Sequence, residues 1–264
     1  MQHVLAIESS TTRLSLALQS SGCIYTFDGE GGATASATML GHIADLLMQA
    51  NIAVADLDAV AFGQGPGAFT GLRAACAVAQ GLAVSARVGG IVVLPVNTLM
   101  ACAQAARTDL GPTQPMHISA CMDARMSEVY TASYQFTQAD GSAVLPVQVL
   151  APMLARPDQL LRVHEQPHCF TGNALAVYGQ DLGEAASHVA WHDALPTASA
   201  MLTLVPALLA SGAAVPAAMA RPLYVRDKVA QTTAERMAAK ALLANTPQAA
   251  GTWQCPNTAC KRPR

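Results

Sequence analysis

Two short segments concentrate the residues that could do chemistry. The first is Gly63-Gln64-Gly65-Pro66-Gly67-Ala68-Phe69-Thr70-Gly71-Leu72-Arg73, and the second is Met122-Asp123-Ala124-Arg125-Met126-Ser127-Glu128-Val129-Tyr130. Glycines open backbone conformations closed to other residues, and exposed amides at a helix start can hold an anion. Gly65 and Gly67, with Glu8 and Asp123 as flanking carboxylates, are therefore the candidates for a nucleotide site. The spacing is not that of a Walker loop, which needs a lysine and a hydroxyl directly after its last glycine; this chain has Leu72 and Arg73 there. A tight strand-to-helix turn with Thr70 near the helix N-cap accounts for the same residues. In the second segment Asp123, Arg125 and Glu128 crowd one turn, as a ligand-orienting cluster or an ion-paired hairpin would.

Other reactive patterns fail on geometry. His164-Glu165-Gln166-Pro167-His168 spells HExxH, but Pro167 removes a backbone donor and pushes Gln166 out of the helical region. His188 and His192 flank Val189-Ala190-Trp191, which reads as strand, where four residues span roughly 13 Å. Ser9, Ser10 and Thr11 form a hydroxyl-rich turn without an identifiable base, and Cys121 falls in a strand expected to be buried. Cys255 and Cys260 lack a second ligand pair. No catalytic group and no metal ligand set is assigned.

Composition narrows the function classes. With 264 residues, 52% hydrophobic and 12% charged, the chain can bury a sizeable core. Its apolar runs, such as the one from Ile91 to Val96, fall short of the roughly 18 residues that span a bilayer. The start carries no basic region or cleavage site of a secretory signal. Seven scattered cysteines suit reduced thiols. The expected compartment is the cytoplasm, without membrane attachment. The net charge of −2, with lysine confined to Lys228, Lys240 and Lys261, does not suit a protein that grips nucleic acid unaided.

The elements that position these residues repeat. Three apolar stretches within the first 28 residues, VLAI, LSLAL and CIYTF, predict a meander of short strands. Met39, Leu40, Ile43, Leu46 and Leu47 mark a helix from Thr34 to Gln49. LDAVAFG predicts a buried strand, followed by the glycine loop, a small-residue helix from Thr70 to Ala86, and the strand IVVLPV. From His117 the order recurs: strands at ISACM, VYTASYQF and VLPVQVL, a short helix, a strand at HCFTG, and helices after Asn173 and Pro196. A shift of 115 sets Ile7-Glu8 over Met122-Asp123, so each half opens with a strand ending in a carboxylate. Two βββαβα halves predict an α/β fold of two tandem ribonuclease-H-like lobes, the plan of the actin, Hsp70 and hexokinase superfamily. The expected boundaries are 1–112 and 113–231, with a frayed or disordered tail over 232–264.

The two segments, with AIESSTTRLSLAL near the start and RPLYVRDKVA near the end, resemble the TsaB family over about residues 1–231. The resemblance implies a non-catalytic relative of TsaD, the subunit that transfers a threonylcarbamoyl group to adenosine in tRNA. It implies docking on a TsaD-like subunit through the N-terminal lobes, a TsaE-like ATPase as a further partner, and tRNA reached only through the complex. ATP and metal are then expected on the partner subunits, with none bound by this chain alone. TsaD-like enzymes carry a metal-binding His-x-x-x-His on the first helix of that lobe; here the helix holds only His42, with Thr38 and Leu46 as its neighbours four residues away. The implied docking residues are Met39, Ile43 and Leu47 on one helix and Thr70, Ala74, Ala75 and Ala79 on the next. Small side chains would let a partner helix approach closely, over an interface of roughly 1,600 Å². The same residues could instead cover their own sheet, and the same patch could form a homodimer. Two rival readings remain. One is an ATP-dependent transferase or kinase of the superfamily, with Thr171-Gly172-Asn173 as a short adenosine loop, and the other is a metallopeptidase using HEQPH.

Overall fold

The computed structural model describes residues 1–31, 35–111, 115–137, 144–164 and 167–226. Met1–Val225 form one unit, and the fold below is that of this unit. The expected tail at 232–264 lies outside the described residues.

The opening meander forms as the alternation requires: β1 (His3–Glu8), β2 (Arg13–Ser20) and β3 (Cys23–Glu30) are antiparallel neighbours. Ser21 and Gly22 link the last two with φ of 49° and 86°, the doubly left-handed geometry that suits a two-residue hairpin. Next come α1 (Ala35–Gln49), β4 (Ala59–Gly65), α2 (Phe69–Ser85), β5 (Val92–Asn97) and α3 (Thr98–Leu110). The second half supplies β6 (Met116–Asp123), β7 (Val129–Phe136), β8 (Val147–Ala155), β9 (Cys169–Thr171), α4 (Ala174–Tyr178), β10 (Trp191–His192), α5 (Ala198–Ala210) and β11 (Val215–Pro216).

The two sheets share one plan. Their strand orders are β11-β5-β4-β1-β2-β3 and β10-β9-β6-β7-β8. Within each, the third, second, first, fourth and fifth strands of the half lie side by side, so the duplication seen as a weak sequence shift is explicit in the topology. Each first strand is central and buried, and each ends on its carboxylate, Glu8 or Asp123.

The packing boundary differs from the expected 1–112 and 113–231 division. α1 and α2 cover one face of the first sheet, with Ile43 and Leu46 in a cluster with Leu5, Ile7 and Leu16. The opposite face is covered by α5, whose Met201, Leu204 and Val205 meet Val4, Ala6 and Ala61. β11 pairs with β5, so a segment from the second half completes the first sheet. α3, absent from the sequence reading, contributes Leu99, Cys102 and Ala106 to the second sheet's core and Ala101 to the first's. Each lobe's closing helix therefore serves two cores, and a cut in the sequence cannot separate them.

Candidate functional site

Glu8, at the end of β1, stands beside the glycine loop that follows β4. That loop closes onto the Ser9-Ser10 turn. The Ala68 amide donates to Ser10 O and Ser9 Oγ donates to Gly71 O, each at 2.8 Å. The Gly65 amide donates to Thr98 Oγ1 at 3.1 Å, and the Leu223 amide donates to Gln64 O at 2.6 Å. The missing side chains allow these approaches. A Cβ at Gly63 would stand 2.0 Å from Glu8 Oε2, one at Gly67 would stand 2.6 Å from Ser10 O, and one at Gly71 would stand 1.8 Å from Ser9 O. The loop is a packing joint, and Ser10 fills the space beside Gly67. The N-cap of α2 is Ala68 rather than Thr70, which sits exposed in the first turn.

The carboxyl of Glu8 is 1% exposed. Its Oε1 accepts from the Ser10 amide at 2.6 Å, whereas Oε2 makes no hydrogen bond to a described residue. Burial pushes its pKa from 4.5 up to about 7, opposed by the Ser10 hydroxyl and amide.

Asp123, the equivalent carboxylate of the second lobe, is held differently. Its Oδ1 accepts from Tyr178 Oη at 2.6 Å and from the Arg125 amide at 2.7 Å, while Oδ2 pairs with Arg125 Nη1 at 3.1 Å. Arg125, Met126 and Ser127 have φ of 62°, 56° and 56°, a run of left-handed backbone that non-glycine residues seldom adopt. Hydrogen bonds from Ala124 N to Glu128 O and from Glu128 N to Arg125 O close this turn. The segment is thus the ion-paired hairpin. Asn173 Oδ1 accepts from the Asp123 amide at 2.8 Å, and a Cβ at Gly172 would stand 2.2 Å from Cys121 O. The candidate adenosine loop therefore serves to brace this hairpin.

The remaining candidates are engaged structurally. His164 is buried among hydroxyls: Ser133 Oγ and Ser119 Oγ lie 2.7 and 2.9 Å from Nδ1, and Thr131 Oγ1 lies 2.7 Å from Nε2. His168 Nδ1 accepts from the His117 amide at 3.0 Å. His192 pairs with Asp109 at 3.2 Å, and His42 stacks on Phe27 at 3.7 Å between ring centroids. Burial pushes the Cys121 thiol up to about 12, which removes it as a nucleophile. Thr11 Oγ1 accepts from the Arg13 amide, a turn-forming contact. A cavity of about 560 Å³ is lined by Arg13, Asp28, Asp109, Asp193, Thr197 and Thr203 among others, and its lining includes neither Glu8, Asp123 nor the glycine loop.

His164 carries a pH prediction. Burial depresses its pKa from 6.5 to about 4, with His117 a further cause. The unfolded chain therefore takes up the proton first, so stability falls as pH drops below 6.5 and levels off near 4. The loss expected from this group alone is about 2 kcal/mol between pH 6.5 and 5. Urea unfolding midpoints of the parent and of a His164→Gln variant at the two pH values check it, because the difference between the two proteins isolates His164 from the other titrating groups.

The implied docking residues divide. Met39, Ile43, Leu47, Ala75 and Ala79 are buried in the chain's own core, so the sequence-level assignment is corrected: the apolar stripe faces its own sheet. Thr70 is exposed and Ala74 half-buried. The outward surface of the same helices is formed by Leu40, Gly41, Ala44 and Met48 on α1 and by Ala77, Gly81 and Val84 on α2. The sequence marks Leu40 in the stripe of α1 and Ala77 and Gly81 among the small residues of α2; Gly41, Ala44, Met48 and Val84 escape it because isolated apolar side chains make no periodic stripe, and a glycine inside an otherwise helical pattern is the available signal.

Comparison with known proteins bears on the whole of this arrangement. A family model described as TsaD, tRNA N6-adenosine threonylcarbamoyltransferase, matches residues 34–234. The tRNA threonylcarbamoyladenosine biosynthesis protein TsaB of Escherichia coli (strain K12) is 32% identical over 234 residues, covering 86% of this chain and 96% of that protein. The protein of the same description from Haemophilus influenzae is 30% identical over 232 residues, covering 86% and 94%. Among solved structures, YeaZ from Pseudomonas aeruginosa matches with a TM-score of 0.72 at 30% identity, covering 85% of this chain and all of that one. The likeness embraces both lobes, and the fold is the paired ribonuclease-H-like α/β architecture of the actin, Hsp70 and hexokinase superfamily. In sequence and in structure alike, the chain belongs to the TsaB family, within the wider TsaD-type domain family.

Proposed function

We propose that this chain is a non-catalytic subunit in tRNA threonylcarbamoyladenosine biosynthesis, docking on a TsaD-type catalytic subunit through the outer faces of α1 and α2. The role in that modification is the one its curated relatives carry in their names. The observation that carries the docking is a pair of helix-interior glycines. A Cβ at Gly41 or Gly81 would meet nothing within 4 Å. Glycine inside a helix costs about 1 kcal/mol relative to alanine, so this chain's own packing gives no reason for either. A partner helix pressed against the backbone does. Leu40, Met48 and Val84 around them are 56%, 72% and 67% exposed.

Several features support the non-catalytic reading: the closed glycine joint, the buried Glu8 carboxyl, and an Asp123 held by Tyr178 and Arg125. ATP and metal then belong to the TsaD-type subunit and a TsaE-type ATPase. A chain of net charge −2 meets tRNA through the assembled complex.

Gly81 supplies the test, because its two effects have opposite signs. Gly81→Ala should stabilise the isolated protein by about 1 kcal/mol, raising its melting midpoint by roughly 3 °C, while weakening the complex about tenfold. Gly81→Leu should abolish binding in calorimetric titration against the TsaD-type subunit. Unchanged affinity for Gly81→Leu and for Ala77→Glu would exclude this face. Ala75 and Ala79 are unsuitable for such tests, since both are 0% exposed. Self-association through the same patch would register as a dimer that the TsaD-type subunit disperses.

A further inference from the structure

The segment after α5 returns along α2. Gln80 Nε2 donates to Ala217 O and Ala220 O, each at 3.1 Å, and Cys76 Sγ donates to Ala220 O at 3.6 Å. With the Leu223–Gln64 contact already described, this strap delivers Tyr224 to the first turn of α2. There Arg73 Nε donates to Tyr224 Oη at 3.0 Å, across a sequence separation of 151 residues. The guanidinium carbon lies 5.7 Å from the Phe69 ring centroid and 5.8 Å from that of Tyr224, within cation–π range of both. The two rings are themselves 5.2 Å apart.

Arg73 and Tyr224 are nevertheless at the surface. No carboxylate among the described residues pairs with Arg73, and its two Nη groups make no hydrogen bond to a described residue. An exposed arginine normally keeps its rotamer freedom, and ordering it on binding costs conformational entropy. Two rings and a phenol oxygen already restrict this one. A guanidinium fork held in place, with its outer edge open, is preorganised for a bidentate carboxylate.

We propose that Arg73, clamped by Phe69 and Tyr224, is the charged anchor of the docking face and takes an Asp or Glu carboxylate of the TsaD-type subunit. The inference rests on the docking proposed above and adds to it the chemistry of recognition. Ala74 and Ala77 continue the same side of α2, so the anchor opens directly onto the apolar patch, and a seated partner would shield the ion pair from water. An RNA phosphate fits less well. Phosphate-binding faces gather several cations to displace counterions, whereas α1 and α2 together contain Arg73 and no lysine.

Calorimetric titration of the full chain into the TsaD-type subunit tests this with Arg73→Ala, Arg73→Lys, Tyr224→Phe and Gly81→Leu. Arg73→Ala should weaken binding about 30-fold and flatten its salt dependence, Arg73→Lys about tenfold, and Tyr224→Phe about threefold. Melting midpoints of the Arg73 variants should fall by no more than roughly 3 °C, the effect of losing exposed ring contacts and one hydrogen bond. Arg73→Glu should be rescued by reversing one Asp or Glu of the partner to Lys. Should Gly81→Leu block binding while Arg73→Ala binds like the parent, the anchor is wrong and the docking face stands. Should neither substitution weaken binding, or the parent not bind, the docking reading itself fails. Intact subunit affinity with reduced tRNA retention by the assembled complex would replace the carboxylate with an RNA phosphate.

Discussion

Glu8→Gln is expected to stabilise the isolated protein by about 3 kcal/mol at pH 8 and to change it little below pH 4.5. The folded-state pKa of Glu8 is raised, from 4.5 to about 7, and burial is the main cause. Below the lower value both states are protonated and no penalty arises. As pH rises, the unfolded chain ionises first and gains solvation that the folded chain cannot match, so stability declines until the folded carboxyl also titrates. Glutamine stays neutral and can keep the bond from the Ser10 amide to Oε1. Paired denaturant melts at pH 4.5 and pH 8 measure the difference. A variant less stable than the parent at pH 8 would mean that the ionised carboxylate has a counter-charge, and with it a cation site. Between these pH limits His164 acts with the opposite sign, so the parent's own profile is flatter than either group alone would make it.

Gly71→Ala is the second large effect, with an expected loss of about 3 kcal/mol and a midpoint lowered by roughly 10 °C. The new methyl would fall 1.8 Å from Ser9 O, a backbone atom that cannot swing aside. Relieving the clash means opening the joint between the β1–β2 turn and α2, which also breaks the Ser9 Oγ to Gly71 O bond. Because Gly81→Ala in the same helix should stabilise, the pair separates a glycine required by this fold from one left open for a partner. Differential scanning calorimetry of both variants reads the two signs together.

Most of the fold is legible in the sequence because its periodicities are local. Strand alternation finds β1 to β3, and the spacing of Met39, Ile43 and Leu46 finds α1. α3 escapes because an alanine-rich helix has no bulky stripe. Its local mark was Asn97, whose side chain accepts from the Leu99 and Met100 amides at 2.9 and 3.1 Å and caps the helix. The glycine loop announces itself as unusual, but its purpose depends on what faces it, and Ser9 lies 62 residues from Gly71. The docking stripe misleads for a related reason: the most periodic apolar face is the one a chain's own core takes. What is left for a partner is the aperiodic remainder, and the Arg73 clamp requires a residue 151 positions away.

In the role proposed for it, this chain enables threonylcarbamoyl transfer without performing it. The direct measurement is transfer from threonylcarbamoyl-AMP to tRNA with purified components, omitting each protein in turn. Modified tRNA should form when the TsaD-type subunit, the TsaE-type ATPase and this chain are together, and should fall to background when this chain is left out or is the sole protein. Modified tRNA made by this chain alone, or full yield in its absence, would contradict the account.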